Sequence, residues 1–208
     1  MTALEIGIHG AMTWAESQAH VALWAITSSP LFLANDVREG HMQQRLVDMM
    51  TNRAMIAVNQ NYSSDAGFSG DRIWSNATGK ELWAKPLPGG AVAAVLFNRN
   101  GSTRGCANPD KQTIELPCDD DPALVEAGQQ EIVLEFASLP SSWLGLGDDS
   151  ADAGGGAVKC SVADIFPPSP SNASGPAHEK DLGAFSGSYR ATVPPHGVNF
   201  VRVSGCTK

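Results

Sequence analysis

The first part of the chain combines short apolar runs with segments whose apolar residues recur at helical spacing. Residues 4–7 have the apolar pattern expected at the end of a short strand. From Thr13 to Ile26 an apolar residue returns every three or four positions, which predicts a helix with one buried face. Thr13 and Glu16 have the spacing of a capping box, which satisfies the first free backbone N–H groups. Pro30 ends this helix, because proline has no N–H to donate and constrains the residue before it.

A continuous apolar run follows at residues 31–34, as expected for a parallel strand covered on both faces. It ends in the polar pair Asn35 and Asp36. Residues 42–50 carry methionine and leucine at helical spacing and predict a second helix, and residues 54–58 are a further apolar stretch. The first sixty residues therefore read as β-α-β-α.

The rest of the chain has the pattern of an antiparallel β domain. Gly89 and Gly90 separate two apolar runs, which is a strong hairpin signal. Short strands at this spacing favour a β-sandwich of the Greek-key type. The glycine- and proline-rich segments 145–156 and 167–176 are predicted to be loops. The candidate strands are residues 81–87, 91–98, 112–116, 130–136, 158–166, 188–193 and 198–203.

Length and composition divide the chain near residue 60. All 6 methionines precede that point, whereas all 4 cysteines follow it. We therefore predict two units, residues 1–60 and 61–208. A complete (β/α)8 barrel takes about 250 residues, so a chain of 208 residues cannot contain one.

Charge narrows the classes of partner. The chain carries 14 Lys+Arg against 22 Asp+Glu, a net charge of −8. Such a chain does not attract a phosphate backbone or an anionic lipid surface, so we expect no nucleic-acid and no membrane partner. No apolar run has the roughly 20 residues that a membrane-spanning helix needs.

The four cysteines favour disulfides over metal binding. Cys106, Cys118, Cys160 and Cys206 include no C-x-x-C pair, so a zinc site is disfavoured. An even number in one region suits two bridges, and we favour Cys106–Cys118 and Cys160–Cys206 among the three pairings. Four buried free thiols remain the alternative.

Four glycosylation sequons point to the secretory pathway, although the N-terminus has no signal-peptide features. The expected localisation of the full-length protein is therefore secreted, lysosomal or vacuolar, with its front missing here. The sequon asparagines are Asn61, Asn76, Asn100 and Asn172.

The sequence contains few residues that match known catalytic motifs. There is no nucleophile elbow, no phosphate-binding loop and no helical histidine pair, and we expect neither metal nor cofactor. Asp36 follows a buried parallel strand, which is where barrel enzymes place functional carboxylates, but a loop hydrogen bond is an equal alternative. Trp74 and Trp83 could stack on a sugar, although core packing is the more frequent role of strand tryptophans. The acidic run 119–121 lacks the spacing of a calcium loop.

Several of these segments closely resemble the α-galactosidase family, which includes the melibiases and α-N-acetylgalactosaminidases. Near the N-terminus the resemblance lies in Met12-Thr-Trp-Ala-Glu16, in the run from His20 to Arg38 and in Met55–Gln60. Residues 180–189 and 191–198 resemble the last strands of the family's C-terminal β domain, and residues 81–87 and 93–98 match more loosely.

The resemblance implies the last two βα units of a (β/α)8 barrel followed by an antiparallel β-sandwich. The family hydrolyses terminal α-linked galactose with retention, through two aspartates. Neither aspartate has a counterpart here, so we assign no catalytic residue, and Thr2 stands where a further sugar-binding aspartate is expected. We therefore expect a C-terminal fragment that is inactive alone. The alternative is a non-catalytic carbohydrate-binding or scaffold module, and an exposed barrel flank would favour self-association.

Overall fold

A computed structural model of the chain describes residues 3–4, 6, 12–38, 41–62, 69–101, 120–147, 156–166 and 179–208. Three helices come first: α1 (Trp14–Ile26), α2 (Gln44–Met50) and α3 (Arg53–Gln60). Thr13 caps α1 with the predicted capping box, in which its hydroxyl accepts from the Glu16 N–H while the Glu16 carboxylate accepts from the Thr13 N–H. Asn52 caps α3 through the Met55 N–H.

The remaining elements are mainly β-strands, with one short helix among them. In chain order they are β1 (Asp71–Ser75), β2 (Lys80–Leu87), β3 (Ala91–Asn98), α4 (Pro122–Gly128), β4 (Gln130–Glu135), a 3-10 turn (Phe136–Ser138), β5 (Lys159–Asp164), β6 (Lys180–Ser186), β7 (Ser188–Val193) and β8 (Val198–Thr207).

These strands form two antiparallel sheets. The larger has six strands in the order β1-β2-β3-β8-β5-β6, and the smaller pairs β4 with β7. The chain therefore leaves the large sheet after β3, returns to it for β5 and β6, and finally places β8 between β3 and β5.

The six-stranded sheet is covered on both faces, which gives the molecule two cores. On one face, alternate residues of β2, β3 and β8, such as Leu96 and Val201, pack against Ile132 and Leu134 of β4. On the other face, residues such as Val95 pack against α1, α2 and α3. Every side chain from Ala91 to Leu96 is consequently buried. The helices therefore pack directly on the six-stranded sheet, whose other face packs against the two-stranded sheet.

Most of the predicted elements are present. The hairpin at Gly89 and Gly90 forms with both glycines at positive φ, the first helix ends before Pro30, and the strand predicted at 188–193 is β7. The apolar stretch 54–58 is the interior of α3. The candidate strand 112–116 lies outside the described residues, as does the segment 167–176.

The prediction that residues 31–34 form a strand covered on both faces is wrong. Only Leu33 makes a β-bridge, parallel to Leu4, with the Leu4 N–H donating to the Phe32 oxygen at 2.6 Å. Phe32 is 52% exposed. The apolar pattern identified a segment that pairs in parallel, but within the described residues this pairing is limited to one bridge, and Phe32 and Ala34 are exposed.

Candidate functional site

Asp36 lies directly after this parallel bridge, in a loop held by charged side chains. The Arg38 guanidinium and backbone N–H both donate to its carboxylate, and the Nδ1 atom of His41 lies 3.3 Å from Oδ2. The hydrogen bonds from Arg38 hold the pKa of the Asp36 carboxyl well below its usual range. The carboxylate therefore stays ionised and cannot supply a proton near neutral pH.

The residue before it anchors the loop to the neighbouring segment. The side-chain nitrogen of buried Asn35 donates to the Ile6 carbonyl oxygen at 2.6 Å. Asp36 itself accepts a hydrogen bond from the Arg38 N–H in the same loop, which is the alternative role considered for it. The sugar-binding role of Asp36 stays a prediction.

A polar cluster lies where the helices meet the six-stranded sheet. Lys85 of β2 is fully buried, and its Nζ donates to the Ser28 hydroxyl and, at 2.9 Å, to the Val58 carbonyl oxygen. Burial lowers the pKa of Lys85 to about 8. Asn59 donates to the carbonyl oxygens of Trp24, at 3.2 Å, and Ser29, at 2.8 Å. The Lys85 ammonium and the Asn59 amide thus connect the C-terminal ends of α1 and α3 to each other and to β2.

A second contact of the same kind joins α3 to the end of β5. Besides capping α3, Asn52 donates from Nδ2 to the Ile165 carbonyl oxygen at 2.7 Å, and its side chain is almost completely buried. The N-terminal end of α1 is tied to the β domain as well, because Glu16 lies 3.0 Å from His196 Nδ1 and Ala15 N–H donates to Asp120.

Glu81 is a buried carboxylate on the helix-facing side of β2. It accepts from the indole Nε1 of Trp83 at 2.9 Å, and Arg99 Nε lies 3.0 Å from it. Arg72 approaches at 3.5 Å and lies over the Trp83 ring. Since these neighbours already hold the carboxylate, the cluster is built to fix β1, β2 and β3 together rather than to bind a substrate.

A groove of about 400 Å³ opens between α3 and the β2–β3 hairpin. Its walls are mostly apolar, and its polar side chains are Asn61, Glu179 and Arg202. Glu179 and Arg202 pair with each other through two hydrogen bonds of 2.7 and 2.6 Å. The groove therefore has an apolar surface and a single carboxylate, Glu179, which is already paired with Arg202. It does not contain the two carboxylates that a retaining glycosidase needs.

Of the two predicted disulfides, the structure contains the Cys160–Cys206 bridge, which links β5 to β8. Cys106 and Cys118 lie outside the described residues. Among the sequons, Asn61 is half-buried, Asn76 and Asn100 are exposed, and Asn172 is outside the described part of the chain.

The tryptophans considered for sugar stacking pack against the two cores. Trp74 packs against the core between the two sheets, and Trp83 packs against the core between the six-stranded sheet and the helices, the helix-facing core. No group of three His, Cys, Asp or Glu side chains that could hold a metal occurs among the described residues. The helices in these ranges are all too short or too polar to cross a membrane.

Sequence comparisons agree with the resemblance. Residues 2–61 match the family model described as Melibiase_2, alpha galactosidase A. An α-galactosidase of Oryza sativa is 38% identical over 96 residues, which cover 46% of this chain and 21% of that protein. Human α-galactosidase A is 33% identical over 99 residues, covering 46% and 21%. The chain thus spans about a fifth of the length of these curated relatives.

Solved structures show the same fold. The crystal structure of α-galactosidase I from Mortierella vinacea has a TM-score of 0.64 and 22% identity, covering 97% of this chain and 38% of that one. A β-L-arabinopyranosidase from Geobacillus stearothermophilus has a TM-score of 0.58 at 14% identity, covering 91% of this chain and 30% of that one. Residues 2–61 are therefore similar in sequence to the α-galactosidase family, and the chain shares the fold of these solved structures.

Proposed function

We propose that this chain is the C-terminal portion of a retaining α-galactosidase that releases terminal α-linked galactose from oligosaccharides or glycoconjugates. In this proposal residues 1–60 complete a (β/α)8 barrel and residues 61–208 form a Greek-key β-sandwich. The parallel bridge between Leu4 and Leu33, with α1 between its two partners in sequence, supports the barrel assignment.

One observation carries the proposal: the three helices are fixed on the six-stranded sheet through a shared core and buried polar contacts. Lys85 and Asn52 bind carbonyl oxygens across this contact. The β domain therefore has the means to hold the end of a barrel in place, which is a positioning role and not a catalytic one.

The chemistry itself requires two carboxylates about 5–5.5 Å apart, one as nucleophile and one as acid then base. No residue of this sequence matches the family's K-x-D nucleophile motif. Asp36 belongs to a loop at the proposed barrel mouth, where its ionised carboxylate shapes the rim through Arg38. We therefore propose that the 208-residue chain has no glycosidase activity by itself.

The proposed compartment is secretory, lysosomal or vacuolar. The disulfide between Cys160 and Cys206 supports it, because such bonds persist in oxidising compartments. Exposed Asn76 and Asn100, both in sequons, agree with this compartment.

The proposed partners are α-galactosides for the longer protein and, for the isolated chain, a second copy of itself. Phe32, in the parallel segment, and Val37, shortly after it, are 52% and 72% exposed, and these apolar side chains support self-association there. Analytical ultracentrifugation over a concentration series tests this, and a monomer at every concentration would contradict it.

The alternative function is a carbohydrate-binding or scaffold module without catalysis. The two roles are separated by measuring turnover of a chromogenic α-galactoside and binding of galactose on the same purified chain. We expect neither turnover nor saturable galactose binding. Turnover would contradict the absence of the catalytic pair, whereas saturable binding without turnover would favour the alternative.

A further inference from the structure

The turn between β1 and β2 contains the sequon Asn76-Ala77-Thr78 and has a fixed backbone. The Gly79 N–H donates to the Asn76 oxygen at 3.2 Å, and the Asn76 N–H donates to the Lys80 oxygen at 3.1 Å. Gly79 has a φ of +78°, and a Cβ placed on it would lie 2.7 Å from the Asn100 Cβ. The position therefore requires glycine for both its conformation and its space, and the turn has one shape.

This shape brings the two functional side chains of the sequon together. The Oδ1 atom of Asn76 accepts from the Thr78 hydroxyl at 2.9 Å and from the Thr78 and Lys80 N–H groups, both at 3.0 Å. The side chains of both Asn76 and Thr78 are exposed. The side-chain nitrogen Nδ2 of Asn76 has no hydrogen-bond partner within the described ranges, so it is left for reaction while Oδ1 is held by three donors.

Asn61, in another sequon, is arranged in the opposite way. It follows the last residue of α3, is half-buried and lines the groove beside the β2–β3 hairpin. Its Nδ2 donates to the Pro86 oxygen at 3.4 Å. A sugar on this nitrogen would replace one of its two hydrogens, leaving a single N–H for the Pro86 oxygen, and would have to lie in the groove.

We propose that Asn76 is a site of N-linked glycosylation and that Asn61 is not, an inference that rests on the secretory compartment of the proposed function. The donor is an oligosaccharide attached to a lipid pyrophosphate. A bond forms between Nδ2 and the first sugar carbon, the bond from that carbon to the pyrophosphate oxygen breaks, the lipid pyrophosphate leaves, and the amide nitrogen passes one proton to a base of the transferring enzyme. Hydrogen bonds to Oδ1 draw electron density from the amide and make this proton easier to remove.

The position also suits a glycan. β1 is an edge strand of the six-stranded sheet, and no strand among the described residues pairs with its outer side, which can therefore pair with another chain. A bulky, hydrated group at the end of this strand would oppose such pairing without touching either core.

The inference is tested by expressing the full 208-residue chain behind a secretion leader in yeast. Peptides from cells and medium together are treated with an amidase that converts glycosylated asparagine to aspartate in heavy-oxygen water. We expect the isotope mark at Asn76 and none at Asn61. Asn76→Gln and Thr78→Ala should each lose one glycan-sized step on a gel, whereas Thr78→Ser and Asn61→Gln should keep it.

If Asn76 carries no isotope label in the chain expressed with the secretion leader, or if Asn61 is labelled to the same extent, the inference is overturned. Because total protein is analysed, the result does not depend on whether a variant folds well enough to be exported. The outcome is also independent of the turnover and galactose-binding measurements, so a failure of this site and a failure of the proposed function are distinguishable.

Discussion

The Nζ atom of Lys85 lies 2.9 Å from the carbonyl oxygen of Val58, and this contact joins the second strand to the end of α3 in a fully buried position. An ammonium group there has lost its water and gains hydrogen bonds to Val58 and to the Ser28 hydroxyl. Desolvation dominates, which is why the pKa of Lys85 falls to about 8.

This pKa makes stability depend on pH. An unfolded lysine titrates near pH 10.4, so between about pH 8 and pH 10 the unfolded chain binds more protons than the folded one. The burial penalty of the charged form is present in full below about pH 8 and is relieved as the pH rises, so the free energy of unfolding should gain from Lys85 across this window. Urea titrations at a series of pH values measure it.

Two variants isolate this contribution. In Lys85→Met the gain between pH 8 and pH 10 should disappear, whereas Lys159→Met, at an exposed position of β5, should retain it. Identical pH profiles for the Lys85→Met chain and the unchanged protein would contradict the prediction.

Asn52→Ala should destabilise the chain through two losses at once. It removes the cap of α3, worth about 1 kcal/mol, and leaves the Ile165 carbonyl without its donor at a cost of about 1–3 kcal/mol. The midpoint of urea unfolding should therefore fall clearly. Arg53→Ala, one residue later and exposed, should change the midpoint little, and equal effects of the two substitutions would argue against the contact.

Glu81 should tolerate glutamine better than alanine. Gln can still accept from the Trp83 indole, which would otherwise lose its partner, while Arg72 and Arg99 are half or more exposed and can return to water. We expect Glu81→Gln to cost about 1 kcal/mol or less and Glu81→Ala about 2 kcal/mol or more. Chemical denaturation compares them, and a larger cost for glutamine would show that the charge matters more than the indole contact.

Removal of the Cys160–Cys206 bridge should destabilise the β domain. The bond closes a separation of 46 residues, and loss of a native disulfide typically costs about 2–5 kcal/mol. The double variant Cys160→Ala/Cys206→Ala measures this in urea, and peptide mapping without reductant should identify the linked pair. A map that pairs either cysteine with Cys106 or Cys118 would refute the pairing.

Local pattern predicted much of this fold but not the way its parts are joined. The capping box at Thr13, the hairpin at Gly89 and the alternating strand Ser188–Val193 each depend on neighbours in sequence. β1 escaped prediction because Asp71–Ser75 is a mostly exposed edge strand whose two apolar residues, Ile73 and Trp74, are adjacent rather than alternating.

The polar contacts between helices and sheet were out of reach for a different reason. Nothing local distinguishes Lys85 from a surface lysine, since its burial depends on helices that end about 25 to 60 residues earlier in the chain. The same holds for Asn52, whose partner Ile165 is 113 residues away. Long-range pairing of this kind leaves no signature in a hydrophobic pattern.

The proposal depends most on the helices and the six-stranded sheet forming one unit, and hydrogen exchange in increasing urea measures this directly. Mass spectrometry follows peptides from α1 (Trp14–Ile26) and from β3 (Ala91–Asn98), which lie on the two sides of the helix-facing core. Both should lose protection in the same cooperative opening, with the same dependence on urea. An α1 that exchanges at low urea while β3 remains protected would contradict a shared core.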